Sequence, residues 1–253
     1  MYDPVAIVEA AAAALGQCQQ RGLDEQAVYG LDALAETEFH PIIAAGLAGA
    51  GFGVLRERPY PAEWRARRGE DSKPRDRLRC DLVLTPAQPA ALEDPLVSLS
   101  RLKRRRKQAA GTLYQHLLSP EVPEPGPACT RPEEAFWLEI KLVAQFCYTA
   151  GVPGPNRSYA SELLRGVPAD LRKLDADPLI RAGGVLLVLL TDDPGTAAHD
   201  LVQLVHRILD RGLSVASPVT TGLALSDRIG NRHATLSLVG LSPTGSAAWS
   251  EPA

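Results

Sequence analysis

The amino-acid sequence predicts an α/β protein with a central mixed β-sheet flanked by helices. Apolar residues recur at helical spacing near the N-terminus and again over residues 196–211, which predicts amphipathic helices outside the sheet. A continuous aliphatic run at residues 185–190 lies between Gly184 and Asp192 and is typical of a strand covered on both faces. Strand-like and helical segments alternate along the chain, and this order favours one sheet with helices packed against it.

Two helices are expected before the first strand. Asp3 and Pro4 are residue types preferred at the N-cap and the first helical position, so a helix should run from there to about Gln20. A second helix is expected over residues 32–50. Its apolar positions share one face: Phe39, Ile43 and Leu47.

Three strands should follow. Residues 52–57 and 80–85 are the first two, and the polar, proline-containing residues 58–78 between them predict a loop. Residues 86–133 look like an insertion that begins with a helix. The third strand is expected at residues 136–143.

The last third of the chain should alternate between helices and strands. Residues 153–156 predict a turn, and residues 158–174 a helix with a break or restart at Pro168. After the aliphatic strand, the helix over 196–211 leads to a late strand at residues 234–239.

Composition sets broad limits on the function. The chain has 253 residues and a formal net charge of −3, so any nucleic-acid contact must come from local basic patches. Four scattered cysteines without a CxxC pair argue against a zinc site or a disulfide framework. We expect one domain over residues 1–253, with an N-terminal helical extension (1–31) and the insertion (86–133). Without a basic leader or an apolar run near the ~20 residues of a membrane helix, a cytoplasmic location is expected.

The third strand carries two charges among apolar residues. On a strand, Glu139 and Lys141 share one face, whereas Ile140 points to the other. Burying such charges without partners costs several kcal/mol, so they indicate a purpose. Asp81 supplies a second acid at the start of another strand. Carboxylates of this kind suit Mg²⁺, which polarises a phosphate and lowers the pKa of a bound water. Lys141 would orient that water or stabilise charge on the phosphate.

Asp81, Glu139 and Lys141 resemble the signature of the PD-(D/E)XK nuclease superfamily, which has the restriction-endonuclease-like fold. The resemblance implies a core of helix, three strands, helix and strand, with the helical insertion between the second and third core strands. It implies hydrolysis of phosphodiester bonds in DNA rather than RNA, with Mg²⁺, or Mn²⁺ in its place. Two departures are Cys80, where proline is common, and the long gap between Asp81 and Glu139.

The same resemblance suggests further site residues. The first helix of this family often aims a glutamate at the metal, and Glu36 is preferred over Glu38 because it lies nearer the apolar face. The Ile140 carbonyl would be a further ligand, so that the expected metal set is Glu36, Asp81, Glu139 and Ile140. Gln145 would share the face of Lys141 on a continuing strand and contact the site, although a polar strand end explains it equally well.

Two basic segments adjoin the proposed site in sequence. Residues 101–107 hold six basic residues and no acid, and basic residues outnumber acidic ones over residues 56–79. Phosphate binding is expected there, with a solvated helix face as the equally supported alternative for 101–107. The expected nucleic-acid contacts are Arg77, Arg79, Arg104, Arg105, Arg106 and Lys107.

Three other interpretations stay open at this point. Glu139 and Lys141 could be an ordinary surface pair on an edge strand. The chain could be an inactive relative that binds nucleic acid or a partner protein, for example in a bacterial defence or DNA-processing system. The apolar residues of the insertion could form a homodimer or partner interface.

Overall fold

A six-stranded mixed β-sheet forms the centre of the molecule. The computed structural model describes residues 2–62, 78–94 and 129–242. The strands of the sheet are β1 (Gly53–Pro59), β2 (Arg79–Thr85), β3 (Phe136–Ala144), β6 (Ala182–Thr191), β7 (Val219–Ala224) and β8 (His233–Gly240). A separate hairpin pairs β4 (Phe146–Thr149) with β5 (Val152–Pro155).

The strands follow the spatial order β1-β2-β3-β6-β8-β7. β1, β2 and β3 are antiparallel neighbours, whereas β3 and β6 run parallel in a nine-residue register from Phe136–Ala182 to Ala144–Leu190. A parallel pair needs a crossover connection, and here it consists of the hairpin and a helix. β8 then returns antiparallel to β6, and β7 forms the edge.

Four helices of the described ranges cover the sheet. They are α1 (Pro4–Asp24), α2 (Glu36–Gly49), α3 (Val167–Ala176) and α4 (Pro194–Asp210). A 3-10 turn (Leu31–Ala33) precedes α2. A short α-helical turn (Tyr159–Ser161) and a π-helical turn (Glu162–Gly166) lead into α3. Capping by aspartate fixes two of the starts, since Asp3 accepts from Val5 N at 2.9 Å and Asp193 accepts from Thr196 N at 2.9 Å.

The sheet separates two apolar cores. α1 and α2 cover one face, where Ile7, Phe39 and Ile140 are fully or almost fully buried. α1 and α2 approach closely at Gly46, where a Cβ would lie 2.5 Å from the Ala14 Cβ and leave no room for a side chain. α3 and α4 cover the other face, where Trp137 and Leu171 are fully buried. Alternation along β3 therefore sends odd-numbered and even-numbered side chains into different cores.

The expected α/β class, with a mixed sheet between helices, is confirmed. The structure extends the first helix to Asp24 and opens the second with a separate 3-10 turn. The turn expected at residues 153–156 is one arm of the β4–β5 hairpin, and strand β7 was not expected. The three strands that were not expected, β4, β5 and β7, are short and have exposed or half-buried residues, so hydrophobic alternation does not mark them.

The insertion leaves and rejoins the fold at one place. Leu92 and Thr130 form a parallel bridge, and Thr130 N donates to Ala91 O at 2.8 Å. These residues lie between β2 and β3, as expected for the insertion. The helix expected within it lies outside the described residues.

Within the described ranges, we find no helix with the length and apolar character needed to cross a membrane.

Candidate metal centre

β3 presents Glu139 and Lys141 on the face that α3 covers. Their neighbours on that face are Trp137 and Val143, which belong to the α3–α4 core, whereas Ile140 belongs to the α1–α2 core. Glu139 and Lys141 do not form an ordinary surface pair with each other, because Glu139 is buried and Lys141 is paired with Glu36. Glu139 is only 5% exposed and needs partners for its charge.

Asp81 reaches β3 where the two strands separate. Regular pairing of β2 and β3 ends at Leu82 and Leu138. Beyond that point the Asp81 Oδ2 accepts a hydrogen bond from Ile140 N at 2.8 Å. The carboxylate thus replaces a backbone acceptor and is held next to Glu139.

Glu139 receives a hydrogen bond from a tyrosine outside the predicted site. The Tyr60 hydroxyl donates to Glu139 Oε1, and its ring stacks on Trp137 with centroids 6.2 Å apart. Burial first, and then the nearby Cys80 thiol and Glu139, raise the pKa of Tyr60, so this hydroxyl remains a neutral donor.

The pKa of Glu139 is raised from 4.5 to about 8. Burial is the largest cause and the negative charge of Asp81 the second, while the Tyr60 hydrogen bond acts in the opposite direction. Two carboxyl groups held this close do not both ionise easily without a cation. A bound divalent ion would take the place of the proton.

Lys141 is held by the first residue of α2. Its Nζ lies 3.2 Å from Glu36 Oε1 and 3.1 Å from Glu36 Oε2, and Glu36 Oε2 also accepts from Leu142 N at 3.0 Å. Desolvation lowers the pKa of Lys141, but the Glu36 carboxylate more than offsets this and the net pKa is raised. Lys141 therefore carries a positive charge and is suited to stabilising negative charge rather than to accepting a proton.

Glu36 and Glu38 point in different directions from α2. Glu38 turns back to accept a hydrogen bond from Ala35 N at 2.6 Å and caps the helix. Glu36 instead faces β3. Its contacts make it a residue that positions Lys141.

A second set of ligand atoms lies on the other side of Asp81. Among the described residues, one ligand atom each from His40, Glu57 and Asp81 fall within 4.8 Å of one another. His40 Nδ1 is 3.8 Å from Asp81 Oδ1 and 3.9 Å from Glu57 Oε1. Small side-chain adjustments would bring all three to the ~2.0–2.2 Å of a metal bond.

His40 is a buried polar group that lacks the usual compensation. It is 4% exposed, and its Nε2 has no hydrogen-bond partner among the described residues. Buried imidazole nitrogens are normally hydrogen-bonded or bound to metal. The nitrogen that faces Asp81 and Glu57 is Nδ1, not the unpaired Nε2. The donor set of Nδ1 and two carboxylates fits a divalent cation.

Glu57 has a strained backbone at the same place. Its φ is +52°, in the left-handed region that residues other than glycine seldom adopt. Regular pairing of β1 with β2 is interrupted here, between the Arg56–Leu82 and Arg58–Cys80 pairs. Strain of about 1–3 kcal/mol is commonly found where a side chain is directed to a functional site.

α3 brings a further pair of charges to the centre. The buried Asp170 accepts from Lys173 Nζ at 2.6 Å. Desolvation lowers the pKa of Lys173, but Asp170 in contact with it, and Glu139 and Asp81 beyond, raise it overall. Lys173 thus adds a second protonated amine beside the acidic group.

The expected site residues form two neighbouring groups: Asp81 lies beside Glu139 and Ile140, whereas Glu36 binds Lys141. Among the described residues, the carboxylates of Glu36, Asp81 and Glu139 do not form one ligand cluster, and the cluster found there is His40, Glu57 and Asp81. Gln145 lies past the end of β3, and its Oε1 accepts from Asp192 N at 3.0 Å. The expectation that it continues the strand beside Lys141 is therefore wrong, and it orders the loop after β6.

The expected basic contacts fall mostly outside the described residues. This applies to Arg77, Arg104, Arg105, Arg106 and Lys107. Arg79 begins β2, and its Nη1 donates to Glu57 O at 2.8 Å, so it supports the distorted strand.

Sequence reasoning missed His40 and Tyr60. His40 follows Glu36 by four residues on one helix, a spacing that places both on the same side, but no second histidine at metal-ligand spacing accompanies it in the sequence. Tyr60 follows a strand and enters an irregular segment, so no periodicity connects it to Glu139.

Comparison with known proteins leaves the function to be inferred from this geometry, because no protein-family model, curated protein or solved structure significantly matches the chain.

Proposed function

We propose that this protein is a metal-dependent nuclease of the PD-(D/E)XK type that hydrolyses phosphodiester bonds, in DNA rather than RNA. The observation that carries the proposal is the convergence of Glu36, Asp81, Glu139 and Lys141 from three separate elements. The buried, protonated carboxyl of Glu139 beside Asp81 supports a site that takes up a cation.

The topology supports the same family. α2 precedes three antiparallel strands, and α3 leads to β6, which is parallel to β3. This is the order of helix, three strands, helix and strand that the resemblance implies. In this interpretation β7, β8, α1 and α4 are additions to a restriction-endonuclease-like core.

The residues divide into ligands and groups that act on the phosphate. Asp81 and Glu139, with the Ile140 carbonyl, would hold the ion that lowers the pKa of water and polarises the phosphate. His40 and Glu57 extend the ligand set on the Asp81 side. Lys141, held by Glu36, supplies positive charge for the phosphate oxygens.

The ion is Mg²⁺ or Mn²⁺. Carboxylates and a backbone carbonyl suit Mg²⁺, whereas an imidazole in the set shifts the preference toward Mn²⁺. Cleavage supported by both ions, with Mn²⁺ binding more tightly, is the expected behaviour.

A cleavage assay on plasmid and linear DNA tests the proposal. Wild-type protein with Mg²⁺ or Mn²⁺ should cut, and Asp81→Asn and Lys141→Ala should each lose at least about a hundredfold in rate, as for removal of a group that stabilises the transition state. Glu38→Gln is the matched control, since it changes a neighbouring helix carboxylate that faces away.

Two results would contradict the assignment. Cleavage that persists in both site variants would trace it to another site or a contaminant. Tight DNA binding without cleavage by the wild type, under either metal, would favour a non-catalytic subunit on the same fold.

A further inference from the structure

A surface groove between α4 and the short helical turns that precede α3 is lined by two arginines. Arg165 from the π-helical turn lines one side, and His206 and Arg207 from α4 line the other. Asp210 is the acidic residue of the lining. Arg165 and Arg207 are exposed.

Two more arginines extend this surface, which we call the arginine face: Arg165, Arg172, Arg207 and Arg211. Arg211 follows Arg207 by one helical turn, about 5.4 Å along the axis. Arg172 follows Arg165 by two turns and shares its side. The pKa of Arg211 is lowered, first by desolvation and then by the positive charges of Arg207, Arg172 and Arg165, so the four groups lie close enough to repel one another.

These charges lack carboxylate partners within the described ranges. In the part of the chain that the structure describes, none of the four forms an ion pair with a carboxylate. Two other guanidinium groups in the same ranges do form ion pairs, Arg131 with Glu134 and Arg232 with Asp227. A group of like charges left unpaired on one face is suited to a polyanion, whose binding relieves the repulsion.

The arginine face is continuous with the metal centre. A Cβ at Gly166 would lie 3.2 Å from the Lys141 Cε, so the residue after Arg165 packs directly on the proposed catalytic lysine. On α3, Arg172 is followed by Lys173, whose charge acts on Glu139 and Asp81. The residues next to Arg165 and Arg172 in sequence therefore adjoin the centre.

We propose that the arginine face binds the phosphate backbone of DNA that extends away from the scissile bond, with Arg165, Arg172, Arg207 and Arg211 contacting successive phosphates. The inference rests on the proposed nuclease function and names its substrate-binding surface. Phosphates of one strand are spaced ~3.4 Å along a duplex, so guanidinium groups one turn apart reach neighbouring or alternate phosphates. A single small anion would leave most of the four charges unpaired.

Binding of a labelled DNA duplex, measured by fluorescence anisotropy in EDTA, separates this surface from the chemistry. Arg165→Glu and Arg207→Glu should each weaken binding about tenfold or more, and the salt slope should fall by about 0.9 for each phosphate that the variant no longer neutralises. Arg21→Glu is the matched control, because it makes the same change in charge. Arg21 is exposed and lies on α1, which covers the opposite face of the sheet. This variant should change affinity less than about twofold, which is the effect of net charge alone.

Steady-state cleavage gives a second measurement. The arginine variants should raise KM and leave kcat within about twofold, because the groups bind substrate away from the reacting phosphate. Thermal melts confirm that the exposed substitutions leave the fold intact.

The outcomes distinguish the two proposals. If the arginine variants cleave DNA and also bind it like the wild type, the arginine face is not the DNA-binding surface. The same follows if Arg21→Glu loses as much affinity as they do. The nuclease proposal is unaffected in either case. If the wild type never cleaves DNA, and only the arginine variants lose DNA affinity, the arginine face is supported and the nuclease proposal is wrong. Binding of polyglutamate but not DNA overturns the assignment of DNA in favour of an acidic protein partner.

Discussion

At the level of single residues, the centre is a group of acids that the protein holds short of full ionisation. Glu139 is buried beside Asp81 and hydrogen-bonded to Tyr60. Lys141 is paired with Glu36 rather than with these acids. The positive side chain therefore stays available for a phosphate, while the acids stay available for a cation.

The Tyr60 hydroxyl should matter for metal binding as well as for stability. Tyr60→Phe removes the donor that orients Glu139, and removal of such a supporting hydrogen bond reduces metal affinity by about 10–100-fold. Its cost in unfolding free energy should be about 1 kcal/mol.

Tyr2→Phe is the matched control, because the Tyr2 hydroxyl donates to Leu84 O at 2.8 Å within the opposite core. It should cost similar stability and leave the affinity for Mn²⁺, measured by calorimetry, unchanged. Equal metal affinities in the two variants would remove Tyr60 from the site.

The raised pKa of Glu139 predicts that metal-free protein loses stability as pH rises. Its pKa is 4.5 unfolded and about 8 folded, so the folded state binds more protons between these values. The stability gained at low pH is therefore lost as pH rises through this window, on the order of a few kcal/mol in total. Urea unfolding in EDTA at about pH 5 and pH 9 measures the difference.

Glu139→Gln should remove most of that pH dependence. In the wild type, metal binding releases the proton, so affinity should rise by up to tenfold per pH unit and level off above about pH 8. Stability that increases with pH in EDTA would show that Glu139 is ionised in the folded protein.

At the level of elements, three irregular segments shape the centre. The distortion of β1 at Glu57, the early end of the β2–β3 ladder and the π-helical turn before α3 all face the same charges. Bulges and π-turns of this kind are common beside functional sites because they redirect side chains.

Gly166 ends the π-helical turn and should be required for the position of Lys141. Its φ of −63° and ψ of −59° are helical, so Gly166→Ala should be neutral or stabilise by up to about 1 kcal/mol. The added methyl group would lie 3.2 Å from the Lys141 Cε and displace it. Cleavage should fall about tenfold, since small misplacements of catalytic groups are costly.

Gly16→Ala provides the comparison, because a Cβ there meets nothing within 4 Å. It should gain similar helix stability and keep full activity. If Gly166→Ala cleaves like Gly16→Ala, then Lys141 tolerates the shift or does not act on the phosphate.

The sequence predicts the parts of this centre that obey a period. Alternation along β3 places Glu139 and Lys141 on one face, and helical spacing selects Glu36 over Glu38. Periodicity does not predict His40 and Tyr60, because their contacts depend on how α2 and the segment after β1 pack on the sheet. The prediction for Gln145 is wrong because β3 ends at Ala144, one residue before the position at which alternation would place Gln145 beside Lys141.

At the level of the whole molecule, the two faces of the sheet differ in composition, and α2 contributes Glu36 and His40 to the centre from its own side. α1 and α2 close an extensive apolar core on one face. The α3 side combines a second core with the charged centre and the arginine face. A chain of net charge −3 thus concentrates positive charge where a polyanion would approach.

Because the centre joins α2, β1, β2 and β3, metal binding should stabilise the fold as a unit. An ion that binds only the folded state adds about 2.7 kcal/mol at a hundred times its Kd. For a domain of this size, that corresponds to a rise in Tm of roughly 5–10 °C. Scanning calorimetry with Mg²⁺, Mn²⁺ or EDTA measures this rise in Tm.

Asp81→Asn should abolish the rise in Tm with both ions, since Asp81 belongs to both ligand sets. His40→Gln should reduce the Mn²⁺ effect more than the Mg²⁺ effect, because imidazole favours the softer ion. A full Mn²⁺ shift in His40→Gln would confine the ion to Asp81 and Glu139, and an undiminished shift in Asp81→Asn would place the ion elsewhere in the protein.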